Sequence, residues 1–122
     1  MTDETPFPRP LSSDPLERPP SAVAPPREVF EGRTVRLEPL DPARHGDELF
    51  AAVEDDDPAR WWWLPYGPFN GARAGFDAHL DSLAASTDPL FFAIRCKSTG
   101  RAEGVASYLE ISPPDAAIEI GH

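Results

Sequence analysis

Residues 90–111 read LFFAIRCKSTGRAEGVASYLEI, and the pairing they imply decides the fold. Leu90 to Arg95 is a short continuous apolar run, the pattern of a strand covered on both faces. Cys96 to Arg101 supplies turn residues around Gly100, after which Ala102 to Ile111 resumes as a second strand. In that strand Val105, Leu109 and Ile111 share one face, and Tyr108 and Glu110 share the other. The two runs therefore form an antiparallel hairpin.

Downstream, Ser112-Pro113-Pro114-Asp115 makes another turn, and Ala117 begins a third strand. Ile118 and Ile120 lie on one of its faces, expected in the core, and Glu119 lies on the other. Upstream, Asp88-Pro89 closes a connection that follows a helix. Phe76, Leu80 and Leu83 recur there at i, i+4 and i+7, with Asn70 as the expected cap. Further upstream, RTVRLEPL (Arg33 to Leu40) alternates Val35 and Leu37 with Arg36 and Glu38, a half-buried strand. Asp41 and Pro42 start another helix, the carboxylate as cap and the proline at the first helical position. His45, Leu49, Ala52 and Val53 follow at helical spacing. The acidic run Glu54-Asp55-Asp56-Asp57 ends that helix, since negative charge opposes the dipole at a helix C-terminus, and reads otherwise as a solvated loop.

The expected fold is α/β of the α+β type. It is an incomplete, mixed, mostly antiparallel twisted sheet with two N-terminal helices, in the order β-α-α-β-β-β. Two helices cannot cover both faces of four strands. With the strand at Ala117 to His122 unclosed, the chain reads as the first part of a larger domain.

Between the two helices lies ARWWWLPYGPFNG (residues 59–71), which holds all three tryptophans. Adjacent indoles cannot all face one way on any regular backbone. As a group they fit a folded loop over a cleft, with each ring open between core packing and a place in a pocket wall.

Composition bounds the rest. The 122 residues carry a formal charge of −10, which argues against nucleic acid as a partner. There is no apolar run long enough for a membrane span, and MTDETPFPRP lacks the features of a secretory signal, so the reading is cytoplasmic and without a membrane partner. The single cysteine, Cys96, excludes an internal disulfide framework and reads as a buried or half-buried thiol. His45 and His79 have no Cys or His partner at ligand spacing, so no metal site is expected. Residues 1–28 hold eight of the 16 prolines and show no apolar period. They read as a disordered proline-rich tail ahead of a body at 29–122, with a proline-rich ligand for a partner's groove as the sharper alternative.

GRTVRLEPLDPARHGDELF, WLPYGPF, LFFAIRCKSTGRAEGVASYLEI and IEIGH occur in that order, from Gly32 to His122. Together they resemble the N-terminal half of a GNAT (Gcn5-related) N-acetyltransferase, in a branch similar to the ribosomal-protein N-acetyltransferases. The resemblance implies a twisted mixed sheet with helices on both faces, and acetyl transfer from acetyl-CoA to a primary amine. The acceptor would be an amine-bearing small molecule or a protein N-terminus. It also implies a pyrophosphate loop opening a helix after the last strand; no such motif stands in these residues, so the cofactor-binding residues are unknown and the chain by itself is expected not to hold acetyl-CoA. Trp63, Tyr66 and Phe69 match the family's substrate-lining loop. Glu119 matches a strand position from which relatives recruit a general base, while an ordinary solvated carboxylate is the alternative. His122 would contribute to the same site in a longer protein. The competing function is a non-catalytic remnant or interaction module, and the last strand is expected to support self-association.

Overall fold

The computed structural model describes residues 13–15, 17–54 and 56–121. The expectations for residues 1–12, and for His122, fall outside them. β1 (Phe30–Glu31), β2 (Val35–Pro39), β3 (Leu90–Cys96), β4 (Arg101–Ser112) and β5 (Ala117–Gly121) form one sheet in the order β1-β2-β3-β4-β5. Every pairing is antiparallel. Two helices, α1 (Pro42–Val53) and α2 (Arg73–Ala85), intervene between β2 and β3. The expected element order holds, with β1 as an added short edge strand.

The start of α1 follows from its sequence. The Asp41 side chain accepts from Ala43 N, and Pro42 occupies the first turn, where its missing N–H costs nothing. His45, Gly46 and Leu49 are buried and Val53 is half-buried, whereas Ala52 is exposed, so the apolar stripe is narrower than its spacing implied. Helix α2 buries Phe76 and Leu80, with Leu83 half-buried, as its period requires. Its start differs from expectation. Ala72 holds the cap position without a side-chain bond, and the Asn70 amide instead reaches back 3.4 Å to the Asp56 carbonyl.

Both helices pack on the face of the sheet that carries Phe91 and Ala93. Leu40, Leu49, Phe76, Leu80, Phe91, Ala93 and Ala102 make the core there. Full burial of each such large side chain contributes about 1.5–3 kcal/mol. The opposite face is closed by rings: Phe30 and Tyr108 each stand 5.7 Å from Phe92, edge-on, leaving Phe92 only 2 % exposed. Consequently Leu90 to Ala93 are all buried, the two-faced cover that the apolar run predicted.

β4 is less regular than its alternation implied. The β3–β4 register shifts between Ile94 and Arg95, leaving Glu103 without a partner. A second shift lies between Leu109 and Ser112, where Glu110 sits at φ 49°. That bulge breaks the phase, so Ile111 does not continue the face of Val105 and Leu109; its N–H is taken by the Asp88 carboxylate at 3.1 Å. On β5, Ile118 is 48 % exposed and Ile120 74 %, contrary to the expectation that they enter the core. Ile118 shares a shallow pocket with Ala22, Val23 and Pro25 and is only partly covered.

Glu17 to Glu28 contain no helix or strand. Polar contacts nevertheless tie this stretch to the body. Arg18 pairs with Asp115 at 2.8 Å, Ala22 N donates to the Pro113 carbonyl, and Arg27 reaches the carbonyls of Ala84 and Ser86. Among the described residues no helix is long and apolar enough to cross a membrane.

Candidate functional site

The aromatic loop is organised by the acidic run before it. Asp57 caps a short 3-10 turn, Pro58–Trp61, by accepting from Ala59 N at 3.0 Å. Asp56 accepts from Arg60 at 3.0 Å and from the Trp61 indole N–H at 3.1 Å. These two carboxylates therefore hold the loop in place, a role beyond solvation that the run of charges did not reveal. Asp55 lies outside the described residues.

With its indole fixed, Trp61 packs edge-on against Tyr66 (6.2 Å) and Phe69 (5.7 Å). His79 of α2 lies against Tyr66 at 4.5 Å and Phe69 at 5.2 Å, and Phe69 reaches Phe76 at 5.4 Å. Gly67 makes this approach possible. It sits at φ +75°, and a Cβ there would stand 2.3 Å from the Trp61 ring. The row of tryptophans thus splits: Trp61 turns inward, while Trp62 is 75 % and Trp63 92 % exposed.

Beneath the loop lies a cavity of about 180 Å³. Trp61, Leu64, Tyr66 and Phe69 roof it, the apolar stripes of both helices wall it, and Phe91, Gly104 and Val105 form its floor. The bulge at Glu103 shapes that floor, and the Glu103 carboxylate is engaged by the Cys96 thiol. His79 is the one imidazole in the lining, and burial pushes it below the ordinary histidine value. Among the described residues nothing hydrogen-bonds its ring nitrogens.

Glu119 lies elsewhere. It stands exposed on β5 opposite Leu109 and does not line the cavity. β5 is held to β4 by its ladder and by the Ser107 hydroxyl, which donates to the Gly121 carbonyl at 3.1 Å. Its other edge pairs with no strand among the described residues. Of the four residues expected at a site, Tyr66 and Phe69 come together, whereas Trp63 and Glu119 remain apart from them. Trp61 and His79 were not singled out as site residues. His79 could have been found three residues after Phe76, on the same side of α2.

A five-stranded antiparallel sheet with two helices inserted after β2 has counterparts among solved structures. The chain is similar to a GCN5-related N-acetyltransferase from Brucella melitensis, with 44 % identity and a TM-score of 0.79 over 87 % of its residues. It is also similar to a probable acetyltransferase of the GNAT family from Chromobacterium violaceum, with 35 % identity and a TM-score of 0.74 over 94 % of its residues. The fold is GNAT-like. The chain spans 48 % and 57 % of those two proteins, about half of each. No family model matches the chain, and no curated protein matches it.

One feature of this GNAT-like sheet contradicts a plain reading of alternation in β2. Glu38, on the polar side of the strand, is 1 % exposed and sits beneath α1. It accepts from His45 Nε2 (3.1 Å), Arg44 (3.1 Å) and Arg95 Nε (2.9 Å). His45 is itself buried, and its Nδ1 accepts from Asp41 N at 3.1 Å, which fixes the proton on Nε2. Arg95 continues to Glu48 (3.3 Å) and to the Gly100 carbonyl (2.8 Å), and Glu48 accepts from Ala102 N. Burial alone would raise the Glu38 carboxyl. The His45 and Arg95 hydrogen bonds and the charges of Arg95 and Arg44 outweigh it and hold the group below its usual value.

Cys96 is half-buried, and its hydrogen bond to Glu103, then burial and the Glu103 charge, push the thiol up. Among the described residues no group of three or more His, Cys, Asp and Glu side chains is arranged to hold a metal ion.

Proposed function

We propose that this chain supplies about half of a GNAT N-acetyltransferase domain that transfers an acetyl group from acetyl-CoA to a primary amine. The observation that carries this reading is the likeness to two GNAT acetyltransferases at identities of 35–44 %, well above those at which only a fold is shared.

The chain's own residues fit part of such a co-substrate. The outer edge of β5 presents backbone N–H and C=O groups with no strand partner among the described residues, the complement that the amide groups of a pantetheine arm require. A pyrophosphate needs free N–H groups at a helix start. The two helix starts described here, at Asp41-Pro42 and Ala72-Arg73, are not glycine-rich turns and serve the core. Acetyl-CoA supplies an activated acyl thioester when bound.

An alkylammonium titrates near pH ~10.4, so at neutral pH a proton must leave before the amine can attack. Glu119, an exposed carboxylate on β5, takes that proton directly or through water. Tyr66 and Phe69 form the wall against which the acceptor lies, and Trp63 extends it outward. The test is amine-dependent release of free thiol from acetyl-CoA by a protein that carries this chain within the full domain. Glu119→Gln should lower kcat/KM by roughly 100-fold or more, as loss of a general base does, with the largest loss at low pH where more amine is protonated. An equal loss at every pH would assign Glu119 a structural part only, and no thiol release with any primary amine would reject the reading.

A further inference from the structure

The cavity beneath the aromatic loop has a size and a lining that say what it holds. An apolar protein cavity of about 150 Å³ stays dry and accepts a benzene molecule. This one measures about 180 Å³ and is walled by aliphatic and aromatic side chains. One charged residue, Glu103, lines the floor, beside the Cys96 thiol. His79 is the one basic side chain in the lining, and its nitrogens have no protein partner among the described residues. The ring lies against both Tyr66 and Phe69.

We propose that the cavity is a binding site for a compact, ring-sized apolar group that carries no negative charge and bears one hydrogen-bonding atom, which pairs with His79. A neutral imidazole offers one N–H and one lone pair, so a hydroxyl satisfies either tautomer. A carboxylate in the same place would lose its hydration and stand near Glu103 without an opposite charge to replace it. Under the acetyl-transfer reading, on which this identification alone rests, the group is the part of the acceptor remote from its amine. Binding itself needs no acetyl-CoA and no catalysis.

The tryptophans provide the measurement. In a nitrogen-15 spectrum the Trp61 indole reports from the cavity roof, and Trp62 and Trp63, both exposed, serve as controls; single Trp→Phe variants assign the three signals. Phenol, benzene and benzoate are the probes. Phenol should shift the Trp61 signal saturably and leave the other two in place, while benzoate should bind about 10-fold or more weakly. His79→Phe retains the stack and should weaken phenol about 10-fold without weakening benzene. Leu83→Phe, which fills the cavity, should abolish the shift. If that variant does not fold, the His79→Phe comparison still decides. A stationary Trp61 signal, parallel movement of all three indoles, or benzoate binding as well as phenol would each overturn the proposal. Phenol binding by a protein that shows no acetyl transfer would leave the site standing and remove the acetyl-transfer reading alone.

Discussion

At Glu38 a carboxylate that is 1 % exposed meets three arginines, Arg44 and Arg95 by hydrogen bonds and Arg36 at 3.6 Å, and a neutral histidine. Such a group is stabilising only while its partners are complete. Glu38→Gln keeps the shape but leaves Arg95 and Arg44 without their anion, and should cost about 2–3 kcal/mol, the lower end for a broken buried pair because both arginines keep some access to water. The pH dependence has a definite sign. The folded-state value of Glu38 is depressed, so its contribution is present above the unfolded value near pH ~4.3 and is lost as pH falls through the folded one. Denaturant unfolding of both proteins across the acid range should show their stabilities converging as pH falls. A constant gap down to pH ~2 would contradict this. Alternation in β2 located Glu38 on the polar side but could not say that this side faces α1. Pairing with Arg95, distant in sequence, is a tertiary fact.

The aromatic loop is set between α1 and α2 by Asp56, Asp57 and Gly67 together. Gly67→Ala places a methyl group inside the Trp61 ring and demands a left-handed φ, so the loop must move. The expected result is a loss of about 1–3 kcal/mol, the range for overpacking, with fluorescence moving to longer wavelength as the indole meets water. An unchanged spectrum and midpoint would show that Trp61 is not held as described. Helix and strand existence was legible wherever period and turn residues agreed, as in Asp41-Pro42, Phe76-Leu80-Leu83 and the hairpin at Gly100. The loop was legible as a cleft cover, because adjacent indoles cannot share a face. Which indole turns inward was not, since that depends on Asp56 accepting the Trp61 N–H. Asn70 misled for a related reason: its amide is used by Asp56 rather than by α2.

At the scale of the sheet, β5 presents an edge unpaired among the described residues, with Ile118 and Ile120 exposed, on a chain of net charge −10. Edge pairing favours association and charge repulsion opposes it. Sedimentation should therefore show self-association that grows with protein concentration and with salt, which screens the repulsion. Ile120→Lys should suppress it. A monomer at high concentration in high salt would exclude this use of the edge. The ordering of the sheet has a separate consequence. Each strand neighbours the one made before it, so a chain leaving the ribosome adds strands one at a time to a template already present. The long excursion between β2 and β3 is the exception: its closure entropy is met before that pairing returns anything, and the helices that Glu38 and Leu40 receive must be on hand when β3 arrives. Vectorial synthesis and sheet growth run in the same direction here, with one pause built into the route.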